Sequence, residues 1–275
     1  MDLTLNVFRI PEAGETVTDD GGVAYTPGGL GARCAAAFAR LGADSVFCTK
    51  LGADAHGQRL YSYYKEIGIN TSEIKVDHDC PTALSVLIRE NNGDTRVVSY
   101  PGACGHLTTE NIMEAFSSDP DALCLSFDLS PDAMLTASKI ARGKGIPIFV
   151  DAQNAKGGAS LSSLPELEIF STNEEETYKY TGVMPQGAES SLKAVLLLSR
   201  QIKAKYFVIK MGARGAFVYD GKHYNVIPPC RTERNADMTN QTDLFFAAMT
   251  AEYLRSGGDI EKAVRCGAAA NSLSV

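Results

Sequence analysis

The stretch that decides the fold runs from Gly28 to Gly57 and reads GGLGARCAAAFARLGADSVFCTKLGADAHG. Its paired glycines precede an alanine-rich segment, which predicts a helix to about Leu41 because alanine has the highest helix propensity. A strand is predicted from Ser45 to Thr49, and a second helix follows Gly57 and ends at Ile67. The paired glycines let the backbone approach a ligand with no Cβ atom in the way, and a tight turn that opens a helix is the alternative explanation.

A β-hairpin is predicted next along the chain. The segments Ala83–Ile88 and Thr95–Tyr100 alternate apolar and polar residues, and they flank Asn91-Asn92-Gly93-Asp94, a turn sequence typical of hairpins. The first 27 residues add extended segments with turns at Pro11–Gly14 and Asp20–Gly22. Together these segments predict a small sheet that is separate from the rest of the fold.

Strands and helices alternate from residue 108 to the end of the sequence. The predicted strands are Ala122–Phe127, Pro147–Val150, Glu168–Ser171, Tyr206–Met211, Ala216–Tyr219 and His223–Ile227. The predicted helices are Pro131–Lys144, Ser190–Ala204, Thr242–Arg255 and one from Ile260 onward. This alternation predicts a mostly parallel sheet covered on both faces. Ligands bind beyond the carboxyl ends of such strands, where the sequence places Asp128, Asp151, Asn173, Gly212 and the loop before Asp243.

The composition excludes several classes of function. With 275 residues and a hydrophobic fraction of 44%, the chain can form one α/β domain with a full core. Its formal net charge of −7 argues against a nucleic-acid surface, which needs a basic stripe. Seven cysteines without a C-x-x-C pair, and four scattered histidines, indicate thiols in a reducing compartment and no metal site. Without a signal peptide or a membrane-spanning apolar run, the sequence predicts a cytoplasmic protein.

Two common phosphate-binding patterns do not occur in the sequence. No G-x-x-x-x-G-K-[ST] segment is present. The G-x-G at Gly29 and Gly31 lacks both the third glycine and the acidic residue of a dinucleotide-binding fingerprint. A nucleotide would therefore need a cradle of a different kind.

Five motifs follow one another in an order that resembles the ribokinase-like (PfkB-type) carbohydrate kinases. They are the diglycine and G-x-D-x-x-G of residues 28–57, P-x-x-G-E-T at Pro11–Thr16, lid positions Thr82 and Gly102–Ala103, N-x-x-E at Asn173–Glu176, and L-G-x-x-G-A at Met211–Ala216. The resemblance covers nearly the whole chain. It implies a single domain over residues 1–275, a three-layer α/β/α sandwich with a small β-sheet lid built from segments of about 5–27 and 82–105.

The resemblance also implies a reaction and a set of site residues. The reaction is the ATP-dependent phosphorylation of a hydroxyl group of a sugar or sugar derivative, with ATP and Mg²⁺ as cofactors. The implied substrate-binding residues are Asp2, Gly28, Gly29 and Arg33. The implied nucleotide-binding residues are Asn173, Glu176, Lys210, Gly212 and Gly215, with Glu176 acting on Mg²⁺ through water. Asp243 falls at the position of the catalytic base, and Asn240, Gln241 and Thr242 at the anion hole before it.

Simpler structural roles remain open for several of these residues. Asn173 is a suitable N-cap for a helix with an acidic first turn. Gly212 and Gly215 fit a plain hairpin turn, and Asp243 fits a helix N-cap. Taken singly, these motifs therefore indicate turns and helix starts as readily as a binding site.

The catalytic loop departs from the family pattern. The family has D-T-x-G-A-G-D, whereas this chain reads Asp237-Met238-Thr239-Asn240-Gln241-Thr242-Asp243. The two aspartates keep their spacing, but both glycines are replaced, one by β-branched Thr242, which is disfavoured at positive φ. Loss of one oxyanion-type donor costs on the order of 10²–10³ in rate. The alternative function is therefore a catalytically impaired sugar- or nucleotide-binding protein on the same fold.

Two further positions carry a positive charge that the family pattern lacks. Arg33 replaces an asparagine that contacts the sugar, which suggests an anionic ligand because a guanidinium only donates hydrogen bonds. An ion pair that fills an abandoned pocket is the other explanation for Arg33. Lys210 replaces a threonine before the nucleotide turn, where it meets a phosphate or blocks the site.

The resemblance carries two expectations about assembly and length. The hairpin offers exposed strand edges, which makes a homodimer through the lid a possible arrangement. The first strand of the family would precede Met1, and its last adenine-side segment would follow Val275.

Overall fold

The structure is a computed structural model that describes residues 1–18, 21–127, 129–153, 161–230 and 242–273. Its strands are β1 Asp2–Val7, β2 Val23–Thr26, β3 Thr49–Gly52, β4 Ile74–Asp77, β5 Leu84–Glu90, β6 Thr95–Tyr100, β7 Leu123–Ser126, β8 Ile148–Asp151, β9 Leu167–Asn173, β10 Ala204–Lys210, β11 Ala216–Tyr219 and β12 Tyr224–Ile227. Its α-helices are α1 Leu30–Arg40, α2 Ala55–Glu66, α3 Thr109–Ala115, α4 Pro131–Lys144, α5 Glu174–Thr181, α6 Ala188–Leu198, α7 Thr242–Arg255 and α8 Ile260–Leu273. Within the described ranges, no helix has the length and apolar character needed to cross a bilayer.

Six strands form the central sheet, in the order β12-β11-β10-β9-β8-β7. Strands β7 to β10 are parallel, while β11 and β12 complete one side in antiparallel orientation. The parallel strands are rich in apolar residues, and all four residues of β8 are buried. Such strands are expected where helices cover both faces of a sheet.

Neighbouring side chains of the parallel strands enter two separate cores. Ile148 and Val150 pack in the core beneath α3, α4 and α6. Phe149 points to the opposite face and joins the core formed with Met249 of α7 and Val264 of α8. Because successive side chains of a strand face opposite sides, the sheet supports a helical layer on each face. The predicted three-layer α/β/α sandwich is therefore confirmed.

A second sheet contains four strands in the order β2-β1-β5-β6. Strands β1 and β5 are parallel, and the other two pairs are antiparallel. The predicted hairpin of β5 and β6 is confirmed, and it exposes Val97, Val98 and Tyr100 on the outer strand. The four strands lie within or beside the segments that the sequence assigns to a lid.

Asp54 fastens the base of this sheet to helix α2. One carboxylate oxygen of Asp54 accepts from Gly57 N at 2.8 Å and so caps α2, while Thr82 donates to the same carboxylate from its backbone N at 2.8 Å and its Oγ1 at 2.7 Å. Burial alone would raise the pKa of Asp54, but these hydrogen bonds from Thr82 and Gly57 outweigh it and lower the pKa. The aspartate of the G-x-D-x-x-G motif is therefore a structural tie between helix and sheet.

Helix α4 shows how local sequence sets its predicted bounds. Ser130 Oγ accepts from Ala133 N at 3.3 Å, Pro131 occupies the first turn, and Gly145 ends the helix with φ of 73°. A serine cap, an early proline and a terminal glycine are the standard signals for a helix start and end. The predicted range Pro131–Lys144 is confirmed.

Two predicted elements are wrong in their bounds because long-range pairing overrides local preference. The apolar run Ser45–Thr49 makes only an isolated bridge at Val46, and the ladder forms at β3, which pairs in parallel with β4. The helix predicted over Ser190–Ala204 ends at Leu198, because Ala204 pairs with Leu167 in the sheet. Both errors depend on partner strands that are distant in sequence.

Candidate functional site

Three parallel strands end side by side in polar residues. Asp151 ends β8, Asn173 ends β9 and Lys210 ends β10. Lys210 lies directly opposite Asn173 in the ladder, and Asp151 lies opposite Ser171. The register therefore brings these side chains to one short stretch of the carboxyl edge, where open α/β sheets bind their ligands.

Lys210 and Asp151 form an ion pair inside the protein. Lys210 Nζ donates to both carboxylate oxygens of Asp151, at 2.7 and 2.8 Å, and the side chains are only 7% and 6% exposed. Burial raises the pKa of Asp151, and the ammonium of Lys210 opposes that rise. A third group, Gln153 Nε2, donates to Asp151 Oδ2 at 3.2 Å. Lys210 is thus held by a carboxylate at the position where a contact to nucleotide phosphate was predicted.

Asn173 and Glu176 form a reciprocal cap at the start of α5. Asn173 Oδ1 accepts from Glu176 N, and Glu176 Oε2 accepts from Asn173 N, each at 2.8 Å. The predicted capping role of Asn173 is thereby confirmed as a contact. Burial raises the pKa of Glu176; Lys210 lowers it and Asp151 raises it further. These opposing effects show that Glu176 lies within electrostatic reach of the Lys210–Asp151 pair.

The turn from Met211 to Ala216 requires glycine at two positions. Gly212 has φ of 52° and Gly215 has φ of 89°, both in the region that L-residues with a Cβ atom avoid. Met211 N donates to Gly215 O at 2.8 Å and closes the turn. A Cβ atom on Gly215 would lie 2.0 Å from Ile227 O, so β12 presses against the turn. The glycines therefore serve the turn itself.

Arg33 and Asp243 join helices α1 and α7 across 210 residues of sequence. Arg33 Nε donates to Asp243 Oδ2 at 2.5 Å, and the two side chains are 45% and 11% exposed. Cys34, the next residue of α1, is half-buried within electrostatic reach of Asp243, Asp151 and Lys210; desolvation, with Cys124 and the two aspartates, raises its pKa well above the ordinary value. Asp243 also raises the pKa of Asp151. The Arg33–Asp243 pair therefore lies within electrostatic reach of the Lys210–Asp151 pair.

Asp2 and the diglycine meet where the small sheet adjoins α1. A Cβ atom on Gly28 would lie 2.0 Å from Asp2 Oδ1 and 2.2 Å from Asp2 Oδ2, so the carboxylate rests on the glycine backbone. Gly29 has φ of 98° and precedes the first residue of α1. The close approach at Gly28 and the positive φ at Gly29 explain why both positions are glycine.

Some of the predicted site residues lie outside the part of the chain that the structure describes. Asn240, Gln241 and Asp128 lie outside the described residues. Thr242 begins α7, but its side chain is not described. The predicted anion hole is therefore represented here only by the first turn of α7, which carries Asp243.

Acidic groups at the edge suit a Mg²⁺ ion that arrives with a nucleotide better than a permanent metal. Among the residues that the structure describes, no three His, Cys, Asp or Glu side chains converge as a metal site. Glu176 uses only its Oε2 atom in the helix cap. Its carboxylate is of the oxygen-ligand type that Mg²⁺ prefers, commonly with several waters retained. The residues present therefore fit a water-mediated contact.

Sequence reasoning missed the partnership of Asp151 with Lys210. The sequence located Asp151 at a strand end but gave it no role in the site. The available signal is an acidic residue that directly follows the fully apolar Ile148-Phe149-Val150. A charge that ends a buried strand needs a partner, because an isolated buried charge is strongly unfavourable.

Comparison with known proteins identifies the family of the chain. Residues 1–275 match the family described as pfkB family carbohydrate kinase. The ribokinases of Haemophilus influenzae and Bacillus subtilis are 26% and 28% identical to the chain, with all of this chain and 89% of each relative aligned. A bifunctional ribokinase/ribose-5-phosphate isomerase A of Fructilactobacillus sanfranciscensis is 27% identical, and the chain spans 51% of its length.

Solved structures share the fold as well. The ribokinase of Arabidopsis thaliana, solved in complex with ribose and ATP, has a TM-score of 0.87 at 24% identity and aligns with 100% of this chain and 89% of its own. The ribokinase of Cryptococcus neoformans, solved with ADP, has a TM-score of 0.82 at 22% identity, covering 100% of this chain and 90% of its own. The resemblance seen in the motifs is confirmed by the match over the full chain. This protein belongs to the pfkB family of carbohydrate kinases.

Proposed function

We propose that this protein transfers the γ-phosphoryl group of ATP to a hydroxyl group of a sugar or sugar derivative. The observation that carries the proposal is the position of Asp243. Its carboxylate is on the first turn of α7, within electrostatic reach of Asp151 at the carboxyl edge. That edge also holds the Asn173–Glu176 cap and the Gly212–Gly215 turn.

In the proposed reaction, Asp243 accepts the proton of the substrate hydroxyl. The hydroxyl oxygen forms a new bond to the γ-phosphorus, the bond from that phosphorus to the β-γ bridging oxygen breaks, and ADP leaves. Backbone N–H groups at the start of α7 face the developing negative charge, which a helix N-terminus stabilises. Asp2, Gly28 and Gly29 are the proposed contacts for the sugar, and Arg33 borders them.

The nucleotide is proposed to lie along the Asn173–Glu176 cap and the turn of Gly212 and Gly215. Mg²⁺, when bound with ATP, neutralises charge on the phosphates. Glu176 is the residue that would hold it through water, because its carboxylate reaches the edge from a rigid helix cap. Lys210 lies directly opposite Asn173 in the sheet, and its proposed role is to fix Asp151 and favour phosphate nearby.

Three further statements stay predictions. The four-stranded sheet is proposed to act as a lid over the substrate, because it carries Asp2 on its β1 strand. Dimerisation through its outer strand is favoured by the exposed side chains of Val97 and Val98. A cytoplasmic location rests on the cysteine content of the sequence.

A catalytically impaired binding protein is the less favoured alternative. The family match extends over the whole chain, and Asp243 keeps its place at the head of α7. The altered residues Asn240 to Thr242 retain backbone N–H groups, since none of them is proline. Activity is therefore expected, at a rate set by this loop.

Replacing Asp243 by asparagine tests the proposal. ADP release would be followed with Mg²⁺–ATP and a panel of neutral and anionic sugars. Asp243→Asn is expected to lower kcat by about 10²–10⁴, the usual contribution of a general base. Asp259→Asn is the matched control, because Asp259 is an exposed cap of α8 and asparagine caps equally well.

Two outcomes would contradict the proposal. Equal turnover by the wild type and Asp243→Asn would remove the base assignment. No ADP release from the folded wild type with any sugar of the panel would remove the kinase function.

A further inference from the structure

Within the part of the chain that the structure describes, Arg33 makes one side-chain contact, which uses only its Nε atom. Its Nε donates to Asp243 Oδ2 at 2.5 Å, and Asp243 is its only side-chain polar partner within the described residues. A guanidinium has five N–H donors in a planar fork. With 45% of the side chain exposed, the guanidinium is accessible to a ligand from solvent.

Lys210 and Arg33 differ in how accessible their positive charges are. Lys210 is buried and bound to both oxygens of Asp151, so it is largely neutralised by its partner. Arg33 is exposed and engages only one oxygen of Asp243. Arg33 also belongs to the first turn of α1, where its backbone N donates to Gly29 O at 3.0 Å. Arg33 therefore lies one helical turn after Gly28 and Gly29, the first of which contacts the Asp2 carboxylate.

We infer that the substrate is an anionic polyol, bearing a phosphate or carboxylate group besides its reactive hydroxyl, and that its anionic group binds Arg33 and displaces Asp243. This inference deepens the proposed function and rests on it. The guanidinium fork matches phosphate and carboxylate groups with paired hydrogen bonds, which a neutral sugar cannot offer.

The same displacement prepares the base. In the free protein, Arg33 occupies Oδ2 of Asp243, one of the two oxygens that are able to accept the hydroxyl proton. An anionic substrate replaces this internal pair by two contacts, its anionic group on Arg33 and its hydroxyl on Asp243. A neutral sugar offers no group to draw Arg33 away, so its hydroxyl competes with the guanidinium for Asp243.

Calorimetric binding without ATP tests the anion contact independently of catalysis. The probes are two matched pairs, fructose with fructose 6-phosphate and glucose with gluconate, which separate phosphate from carboxylate. The wild type is expected to bind the anionic member of at least one pair roughly 10- to 100-fold more tightly, the range for a hydrogen bond to a charged group. Arg33→Gln is expected to reduce that ratio to about 1.

Two variants complete the test. Arg40→Gln removes an exposed arginine at the other end of the same helix and is expected to leave the ratio unchanged. Asp243→Asn removes the internal competitor of the anion, so anion binding is expected to tighten about 2- to 5-fold, the scale of an exposed ion pair. Loss of turnover in that variant makes binding the proper readout.

The outcomes separate this inference from the kinase proposal. Equal binding of anionic and neutral members by the wild type, or an anionic preference that survives Arg33→Gln, overturns the inference. In that case ADP release with a neutral sugar leaves the kinase proposal standing. Conversely, an Arg33-dependent anionic preference without any ATP turnover supports the anion contact and refutes the kinase.

Discussion

The two ends of strand β10 carry the same chemical pair in different surroundings. At the carboxyl edge Lys210 pairs with Asp151, and the side chains are 7% and 6% exposed. At the amino edge Lys205 donates to Glu168 at 2.7 Å and to Tyr253 Oη at 3.0 Å, with the lysine 53% exposed. Water screens the charges of Lys205 and Glu168, whereas Lys210 and Asp151 are stabilised mainly by each other.

The difference between the two ion pairs supports the carboxyl edge as the proposed place of the reaction. A buried ion pair is seldom worth more than apolar residues of equal volume, because both charges lose their hydration. Stability alone therefore gives no reason for a buried lysine and aspartate at Lys210 and Asp151. The exposed pair of Lys205 and Glu168 requires no functional explanation, because exposed ion pairs form at little desolvation cost.

The largest expected effect comes from removing the buried lysine. Lys210→Met leaves Asp151 as a buried carboxylate without a cation, and it is expected to lower the free energy of unfolding by about 3–5 kcal/mol. Lys205→Met, at the exposed end of the strand, is the control and is expected to cost below about 1 kcal/mol. Urea denaturation measures both. Equal losses of stability in the two variants would contradict the difference between the two edges. The double variant Lys210→Met with Asp151→Leu is expected to recover most of the stability, because it removes both buried charges.

A smaller effect is expected from glycines in the turns that flank strand β11. Gly215→Ala places a Cβ atom 2.0 Å from Ile227 O at a φ of 89°, and we expect a loss of about 3 kcal/mol. Gly221→Ala, at the amino edge, has a similar φ of 91° but meets no atom within 4 Å, so only the backbone cost of about 1–2 kcal/mol applies. Thermal unfolding compares them, and a rise in KM for ATP in Gly215→Ala alone would strengthen the nucleotide assignment.

The smallest effect concerns the pH dependence of Glu176. Burial raises its pKa in the folded state above the ordinary value of 4.5. The folded protein therefore holds this proton to higher pH than the unfolded chain does, so this group's contribution to stability falls as pH rises from 4.5 through the raised pKa. Glu176→Gln keeps the helix cap and is expected to abolish this slope.

Urea denaturation at several pH values between 4 and 7 measures the slope. Glu175→Gln, in the same helical turn but exposed, is the control for the change in net charge. An unchanged slope in Glu176→Gln would show that the carboxylate is not penalised by burial.

Much of the fold follows from local sequence signals. The Asn-Asn-Gly-Asp turn predicts the hairpin of β5 and β6, and Ser130, Pro131 and Gly145 bound α4 as the sequence indicates. The strand predicted over Ser45–Thr49 is wrong in its bounds, because Val46 makes only an isolated bridge and the ladder begins at Thr49. A short apolar run does not show by itself where strand pairing begins, because buried residues outside a strand have the same apolar pattern.

The site was predictable residue by residue but not contact by contact. Family motifs bring Asn173, Glu176, Arg33 and Asp243 to notice as separate positions. The pairing of Arg33 with Asp243 spans 210 residues, and that of Lys210 with Asp151 spans 59. No periodicity or cap signal relates residues so far apart, because such contacts arise only when the sheet and its helices assemble.

The close approach of Asp2 to Gly28 has a mechanical consequence. Asp2 begins the first strand of the four-stranded sheet, and three residues, Pro27 to Gly29, separate the end of β2 from the first residue of α1. Rotation of the sheet about that short connection would swing the Asp2 carboxylate away from the head of α1. A sugar that bound both Asp2 and the α1 backbone, as proposed, would hold the sheet against α1, so ligand binding would fix the angle between them.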